Sequence, residues 1–273
     1  MPSRKRENSP QKKAGAPGTA GLHSSPPKSE TSALLNSEKL KLLYAAMLKT
    51  RMSREKLSRS TSRRGMISSA PEALEVGAAL NLAPRDNIAP GPHETALRWI
   101  SGALAEGKQV AEHVCPGTSC ARIGVATGIA FASKTSRRRV TVVVTTQLDV
   151  THDGWKEALR FAAESKLAIV YLIESDARKP NDQLFRTAAQ KCGLPAITVD
   201  GDDVVAVYRV MQECMRRARQ GHGPALIECR TGLKDPLRFM QDYLAKRNLW
   251  TEKWEQEIAR RAAKEVRKLR VLM

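Results

Sequence analysis

The sequence predicts an α/β fold: a mostly parallel sheet with helices on both faces, preceded by a helical N-terminal layer. Three observations lead there. Residues 140–144 (VTVVV) and 167–173 (LAIVYLI) are apolar almost throughout rather than alternating, the pattern of strands buried on both faces. Between them Trp155, Ala158, Leu159, Ala162 and Ala163 recur at helical spacing, so the stretch reads as one strand–helix–strand unit. Downstream, apolar runs at 196–199 and 225–229 again alternate with helical segments, as a parallel sheet requires.

The elements follow in order. Residues 1–36 are poor in large apolar side chains and rich in Pro, Ser, Lys and Gly. Such a segment cannot bury enough surface to offset its conformational entropy and reads as a disordered basic tail. A single domain is expected over 37–273. Ser37 is an N-cap signature for a helix over 38–59, with Leu40, Leu43, Tyr44, Met47 and Leu48 as its apolar stripe. Pro71 suits the first turn of a second helix, 72–82, packed through Ala73, Val76, Gly77 and Leu80. A Pro-containing connector spans 81–92, and residues 93–105 read as a helix. Residues 120–133 form a small-residue helix with Ala121, Gly124, Val125, Gly128 and Ala132, a composition that allows close approach of backbones. After the central unit, helices are expected over 183–192, 204–220, 237–246 and 251–269, and four strands in all. Asp200-Gly201-Asp202 reads as a turn, with Asp202 placed to cap the helix that follows.

The formal net charge is +18 and the isoelectric point about 10.0. Such a field favours acidic partners. The basic residues are spread along the whole chain, and aromatic residues make up only 4%, which argues against a base-stacking platform. Weak, salt-dependent association with nucleic acid through the tail is the remaining version of that idea. The five cysteines include no CxxC pair and no histidine at zinc spacing, so they read as reduced, structural thiols of a cytoplasmic protein. No apolar run approaches a membrane span.

Ligands of parallel sheets gather at the carboxyl ends of the strands, here residues 145–149 and 174–178. The stretches LLYAAMLKTRMSREKL, PEALEVGAALNLAPRDNIAP, GVATGIAFASK, WKEALRFAAESKLAIVYLIES, GLPAITVDGDDVVAVYRVMQECMRRARQGHGPALIECRT and DPLRFMQDYLAKRNLW follow one another from about residue 38 onward. Together they resemble the alpha subunit of thiamine-diphosphate-dependent 2-oxo acid dehydrogenases of the pyruvate and branched-chain type. The resemblance implies the thiamine-diphosphate-binding fold, a thiamine diphosphate held through magnesium, and an active site shared with a beta subunit.

It also implies a motif, Gly-Asp-Gly at the end of one strand and Asn-Asn after the next. A hard cation needs oxygen ligands that bridge to the diphosphate, and glycines let the backbone come close. Registered on Glu157-Ala158-Leu159, the first motif falls on Thr146-Gln147-Leu148 and the second on Ser175-Asp176. Both glycines are replaced, and the ligand Asp is Gln147. Candidate residues for a rearranged site are Gln147, Asp149 and Asp176, with Asp176 as metal ligand; a surface-turn role for Asp149, Asp153 and Asp176 is the alternative. The family's Tyr-Arg and nearby His fall on Pro92, His93 and Thr95. His93 is left to donate to a phosphate or to cap a helix. The loop that precedes Asp-Pro in the family shrinks to Thr231-Gly232-Leu233-Lys234 before Asp235-Pro236.

No catalytic residue emerges from the chain itself. Two functions fit: a divergent alpha subunit of an oxidoreductase, with thiamine diphosphate and magnesium as cofactors, or a non-catalytic scaffold or regulator that pairs with a beta-type subunit or with itself.

Overall fold

The computed structural model describes residues 35–60, 72–89, 97, 100, 122–135, 139–150, 154–179 and 184–268. Helix α1 (Ser37–Ser60) and α2 (Glu72–Ala79) lead into a short strand β1 (Asn87–Ile88). Then come α3 (Arg122–Ala132), β2 (Thr141–Thr146), a single 3-10 turn (Gln147–Val150), α4 (Trp155–Glu164) and β3 (Ile169–Asp176). The chain continues through α5 (Leu184–Lys191), β4 (Ala196–Asp200), α6 (Val204–Arg219), β5 (Ala225–Thr231), α7 (Pro236–Ala245) and α8 (Glu252–Lys268). The sheet order is β1-β2-β3-β5-β4, with every neighbouring pair parallel.

The fully apolar runs do form the middle of the sheet. Val142–Val144 and Ile169–Ile173 are buried to the last residue, since helices cover both faces. On one face Trp155, Leu159 and Ala162 of α4 pack with Ile123 and Ala126 of α3 and with Phe185 of α5. The Trp155 and Phe185 rings meet edge to face at 6.2 Å. On the other face α6 lies against β3, β4 and β5 and against α2. There the close approach depends on Gly77: a Cβ at that position would stand 2.7 Å from Val207 Cγ1.

Sequence and structure part at several points. The predicted connector 81–92 contains a fifth strand, β1, too short for an apolar pattern to reveal. Asp86 holds it in place. One Asp86 oxygen accepts from the Ala83 amide at 2.7 Å and the other from Val140 at 3.0 Å, and Arg219 of α6 pairs with the carboxylate. The cap of α1 is Asn36, whose Oδ1 accepts from Lys39 N at 2.8 Å, and Ser37 is the first helical residue. Asp203 rather than Asp202 caps α6, accepting from Val205 N and Ala206 N. The small-residue helix α3 exists, but Gly124 and Gly128 have nothing within 4 Å of a Cβ position, so the close backbone approach is made elsewhere, at Gly77. The tail to residue 34, Pro71, Cys115 and Cys120 lie outside the described residues, as does the predicted helix 93–105 apart from buried Leu97 and Ile100. Cys192, Cys214 and Cys229 are free and buried.

Helix α2 is buried along its whole length, including two carboxylates, Glu72 and Glu75. Arg51 of α1 pairs with Glu72 and with Asp235, the cap of α7, while Arg54 pairs with Glu75. Burial pushes the Glu72 carboxyl up and the Arg51 and Arg54 charges pull it back, with a net upward shift. The pairs join three helices without adding much net stability, because desolvation offsets most of the attraction.

Two stability predictions follow from these contacts. Gly77→Ala should destabilise the fold by about 1–3 kcal/mol through overpacking on Val207, whereas Gly124→Ala, facing open space, should stabilise by about 0.5–1 kcal/mol through helix propensity. Asp203→Ala should cost about 1 kcal/mol as a lost cap. Asp202→Ala should cost more, about 2–4 kcal/mol, because the buried carboxylate holds three amides of the turn after β5. Urea denaturation of the four variants checks the ranking.

Candidate functional site

Parallel strands leave their carboxyl ends at one edge of the sheet. Thr146 of β2 stands opposite Glu174 of β3; Gln147 follows β2 directly and Asp176 ends β3. Of the four site residues expected from sequence, the side chains of Gln147 and Asp176 are described, at the carboxyl ends of neighbouring strands. Asp149 lies in the 3-10 turn that follows β2, but its side chain is outside the described residues, and so are His93 and Asp153.

Gln147 is half-buried at the start of the turn. Asp176 is engaged within its own chain. The Arg178 backbone amide donates to Asp176 Oδ1 at 3.0 Å, Arg178 Nε donates to the same oxygen at 2.9 Å, and Nη2 donates to Oδ2 at 3.1 Å. These hydrogen bonds hold the Asp176 carboxyl below its ordinary range. The Arg178 guanidinium also lies against Gly232: a Cβ there would sit 3.7–3.8 Å from Nε, Cζ and Nη2. Gly232 has φ +95°, a conformation that side-chain-bearing residues rarely adopt.

The turn after β5 closes this edge. Asp202 is 2% exposed, and its carboxylate accepts from the amides of Gly232 (3.1 Å), Leu233 (2.8 Å) and Lys234 (2.9 Å). Lys234 Nζ reaches Asp200 Oδ2 at 2.5 Å. Gly201 is needed where β4 meets β5, since a Cβ would strike Thr231 Cγ2 at 2.6 Å and the Arg230 carbonyl oxygen at 3.1 Å. On the β3 side, Arg230 Nη2 donates to the carbonyls of Ala177 (3.2 Å) and Lys179 (3.1 Å), and Thr231 Oγ1 donates to Glu174 Oε1 at 3.2 Å. The Asp-Gly-Asp stretch is therefore a structural clasp for the short turn.

Sequence reasoning missed Arg178 and the true role of Asp202. The first had a signal. Arginine two residues after a strand-ending aspartate allows the Asp-Ala-Arg turn to close on itself, as Asp side chains often do with the backbone two residues on. The second had none, because Asp202 and the amides it holds are thirty residues apart in sequence.

The donor set can be tested against a magnesium-bound diphosphate. A hard cation takes several oxygens, typically more than one of them anionic. Here the described side chains at the edge of β2 and β3 offer the Gln147 amide, the Glu174 carboxylate, which accepts from Thr231 Oγ1, and the Asp176 carboxylate, already ringed by three donors. Among the described residues no group of three or more His, Cys, Asp or Glu side chains is placed to hold a metal ion. Neither glycine of the family motif is present at 146 or 148 to admit a phosphate. These residues do not fit the group.

Comparison with known proteins bears on the scaffold. The family described as "Dehydrogenase E1 component" matches residues 44–232. The pyruvate dehydrogenase E1 component subunit alpha of Staphylococcus aureus is 27% identical in a 287-residue alignment covering 85% of this chain and 77% of its own length. The protein of the same name from Acholeplasma laidlawii is 30% identical over 186 residues, 59% of this chain and 53% of that one. Among solved structures, a Pichia stipitis transketolase aligns with a TM-score of 0.49 at 14% identity over 72% of this chain. The benzoylformate decarboxylase of Polynucleobacter necessarius aligns with a TM-score of 0.44 at 14% identity over 64%. The chain spans only 36% and 35% of the length of those two. No helix among the described residues is long and apolar enough to cross a membrane. With the matched region running from within α1 to the turn after β5, more than half of the sequence, the chain belongs to the dehydrogenase E1 component family.

Proposed function

We propose that this chain is an alpha-subunit-like member of the 2-oxo acid dehydrogenase family that has lost its own magnesium–diphosphate site and serves as a non-catalytic partner of a beta-type subunit. The observation that carries the reading is the state of the two strand ends. The position for a ligand carboxylate holds the neutral Gln147, and the remaining carboxylate, Asp176, is taken by Arg178. A charge-assisted contact is worth roughly 1.5–3 kcal/mol. Losing the Asp, the neighbouring glycines and the Tyr-Arg pair together weakens diphosphate binding by several powers of ten.

The short turn supports the same reading. Where the resemblance implies a long loop over the cofactor, this chain has a four-residue turn, three of whose amides are held by Asp202. The partner half rests on α3. Its sequence RIGVATGIAFA has one charged residue, at the start, and yet Gly124, Gly128, Phe131 and Ala132 are exposed. The rings of Phe131 and of Phe161 of α4 meet at a tilt, 5.4 Å between centroids, on this surface. A helix that is apolar all round is built to be covered, and relatives named as alpha subunits supply the kind of protein that would cover it. The buried thiols fit a cytoplasmic setting.

Calorimetry on the full-length chain tests the cofactor half. Titration with thiamine diphosphate in excess magnesium should give no saturable heat up to about 1 mM, a dissociation constant weaker than roughly −4 kcal/mol of binding. Saturable binding in the micromolar range would overturn the reading. The partner half is checked by co-purification with a beta-type subunit of the family, and Phe131→Asp should abolish the complex without changing the thermal midpoint of the isolated chain.

A further inference from the structure

We infer that Arg178 is a built-in cation standing in for the family's divalent metal, and that its guanidinium is what keeps Asp176 from taking one. The inference deepens the reading above and rests on it. The proposal stands on geometry. The guanidinium meets the carboxylate as a fork, Nε to Oδ1 at 2.9 Å and Nη2 to Oδ2 at 3.1 Å, and the backbone amide of the same residue adds a third donor at 3.0 Å. Paired, parallel contacts of this kind are the strong form of the arginine–carboxylate interaction.

Arg178 is exposed, and an exposed ion pair ordinarily adds little to stability. Its importance here is positional. One face of the guanidinium lies on Gly232, where the absence of a side chain leaves room for it. Gly232 is itself anchored through its amide to buried Asp202. The arginine is therefore held between the end of β3 and the turn after β5, and both carboxylate oxygens of Asp176 face it. A divalent ion approaching Asp176 would have to displace the fork and then sit beside the positive charge it displaced. The downward shift of the Asp176 carboxyl and the upward shift of Arg178, each caused first by their mutual hydrogen bonds, agree with this coupling. Two changes from the family pattern then act together: Gln147 removes a ligand, and Arg178 occupies the one that remains.

The test uses the full-length chain with Mn2+ as the probe and the electron paramagnetic resonance signal of free Mn2+ as the readout. Four proteins are compared: wild type, Gln147→Asp, Arg178→Gln and the double variant. Circular dichroism confirms folding of each. The expected result is no specific binding below about 1 mM for wild type and Gln147→Asp, and at least about tenfold tighter binding for the double variant than for Gln147→Asp. Adding Asp176→Asn to the double variant should return it to the wild-type response. Equal affinity of Gln147→Asp and the double variant would overturn the inference, because Arg178 would then exclude nothing. A double variant no better than wild type would overturn it as well. Either result with a wild type silent toward thiamine diphosphate and magnesium leaves the lost-site reading standing, whereas tight cofactor binding by wild type sinks that reading first.

Discussion

A parallel sheet covered on both faces has nowhere to put polar chemistry except at its ends, and this constraint organises the molecule. The inner strands β2, β3 and β5 satisfy their backbone groups through the ladder and fill both faces with apolar side chains, which is the stable way to bury a strand. One carboxylate breaks the pattern in mid-sheet. Glu228 is buried on β5, where it accepts from Ser175 Oγ at 3.1 Å and Thr198 Oγ1 at 3.3 Å. The hydroxyls on the flanking strands β3 and β4 are what make that position tolerable, since a buried charge needs hydrogen-bond partners. Among the described residues, the other carboxylates and basic side chains of the sheet lie at the strand ends, and the rest are in the helix layer and the turns.

The helices are positioned by a second rule. A chain with formal charge +18 repels itself, yet its acidic side chains are not spent on the surface alone. Glu72, Glu75 and Asp86 are buried, each facing an arginine. Such pairs give little net stability compared with apolar residues of the same size, but removing one partner strands the other and is costly. Their effect is therefore geometric. Arg51 ties α1 to both α2 and the cap of α7, and Arg219 ties α6 to the start of β1. The α2–α6 contact through Gly77 completes the arrangement.

What could be read from the sequence follows from the range of the interactions involved. The runs VTVVV and LAIVYLI announced their strands because full burial leaves an unbroken apolar signal. The α4 stripe was legible because Trp155, Leu159 and Ala162 recur with the helical period and do face the core. Strand β1 was not legible, being two residues long and fixed by Asp86 through amides at 83 and 140. The caps were misplaced by a single residue at both Asn36 and Asp203, since a run of adjacent polar residues offers several capping oxygens and only backbone geometry selects one. At the candidate site, the family register directed attention to Gln147 and Asp176, which lie at the ends of neighbouring strands. The Arg178 fork and the hold of Asp202 on residues 232–234 depend on turn geometry, which composition does not encode.

A scaffold and a ligand site answer to different pressures, and under the proposed reading the strand ends explain how one persists without the other. Each core residue contributes to folding on its own account: removing Leu159 or Ile173 would leave a cavity whatever the protein does. A metal–phosphate site contributes to folding only when it is filled. Without its ligand, a cluster of carboxylates is self-repelling and a glycine-rich strand end carries excess conformational freedom, so both cost stability. A chain that no longer binds the ligand gains by making those positions neutral or by pairing them. Under the proposed reading Gln147 is the neutral solution and Asp176–Arg178 the paired one, while the four-residue turn on Asp202 stands where the resemblance implies a long loop whose ordering would need a cofactor beneath it. The three changes lie at one edge of an otherwise intact sheet. Each is what folding stability alone would favour there, which is how their coincidence supports the proposed reading of a site released from its ligand.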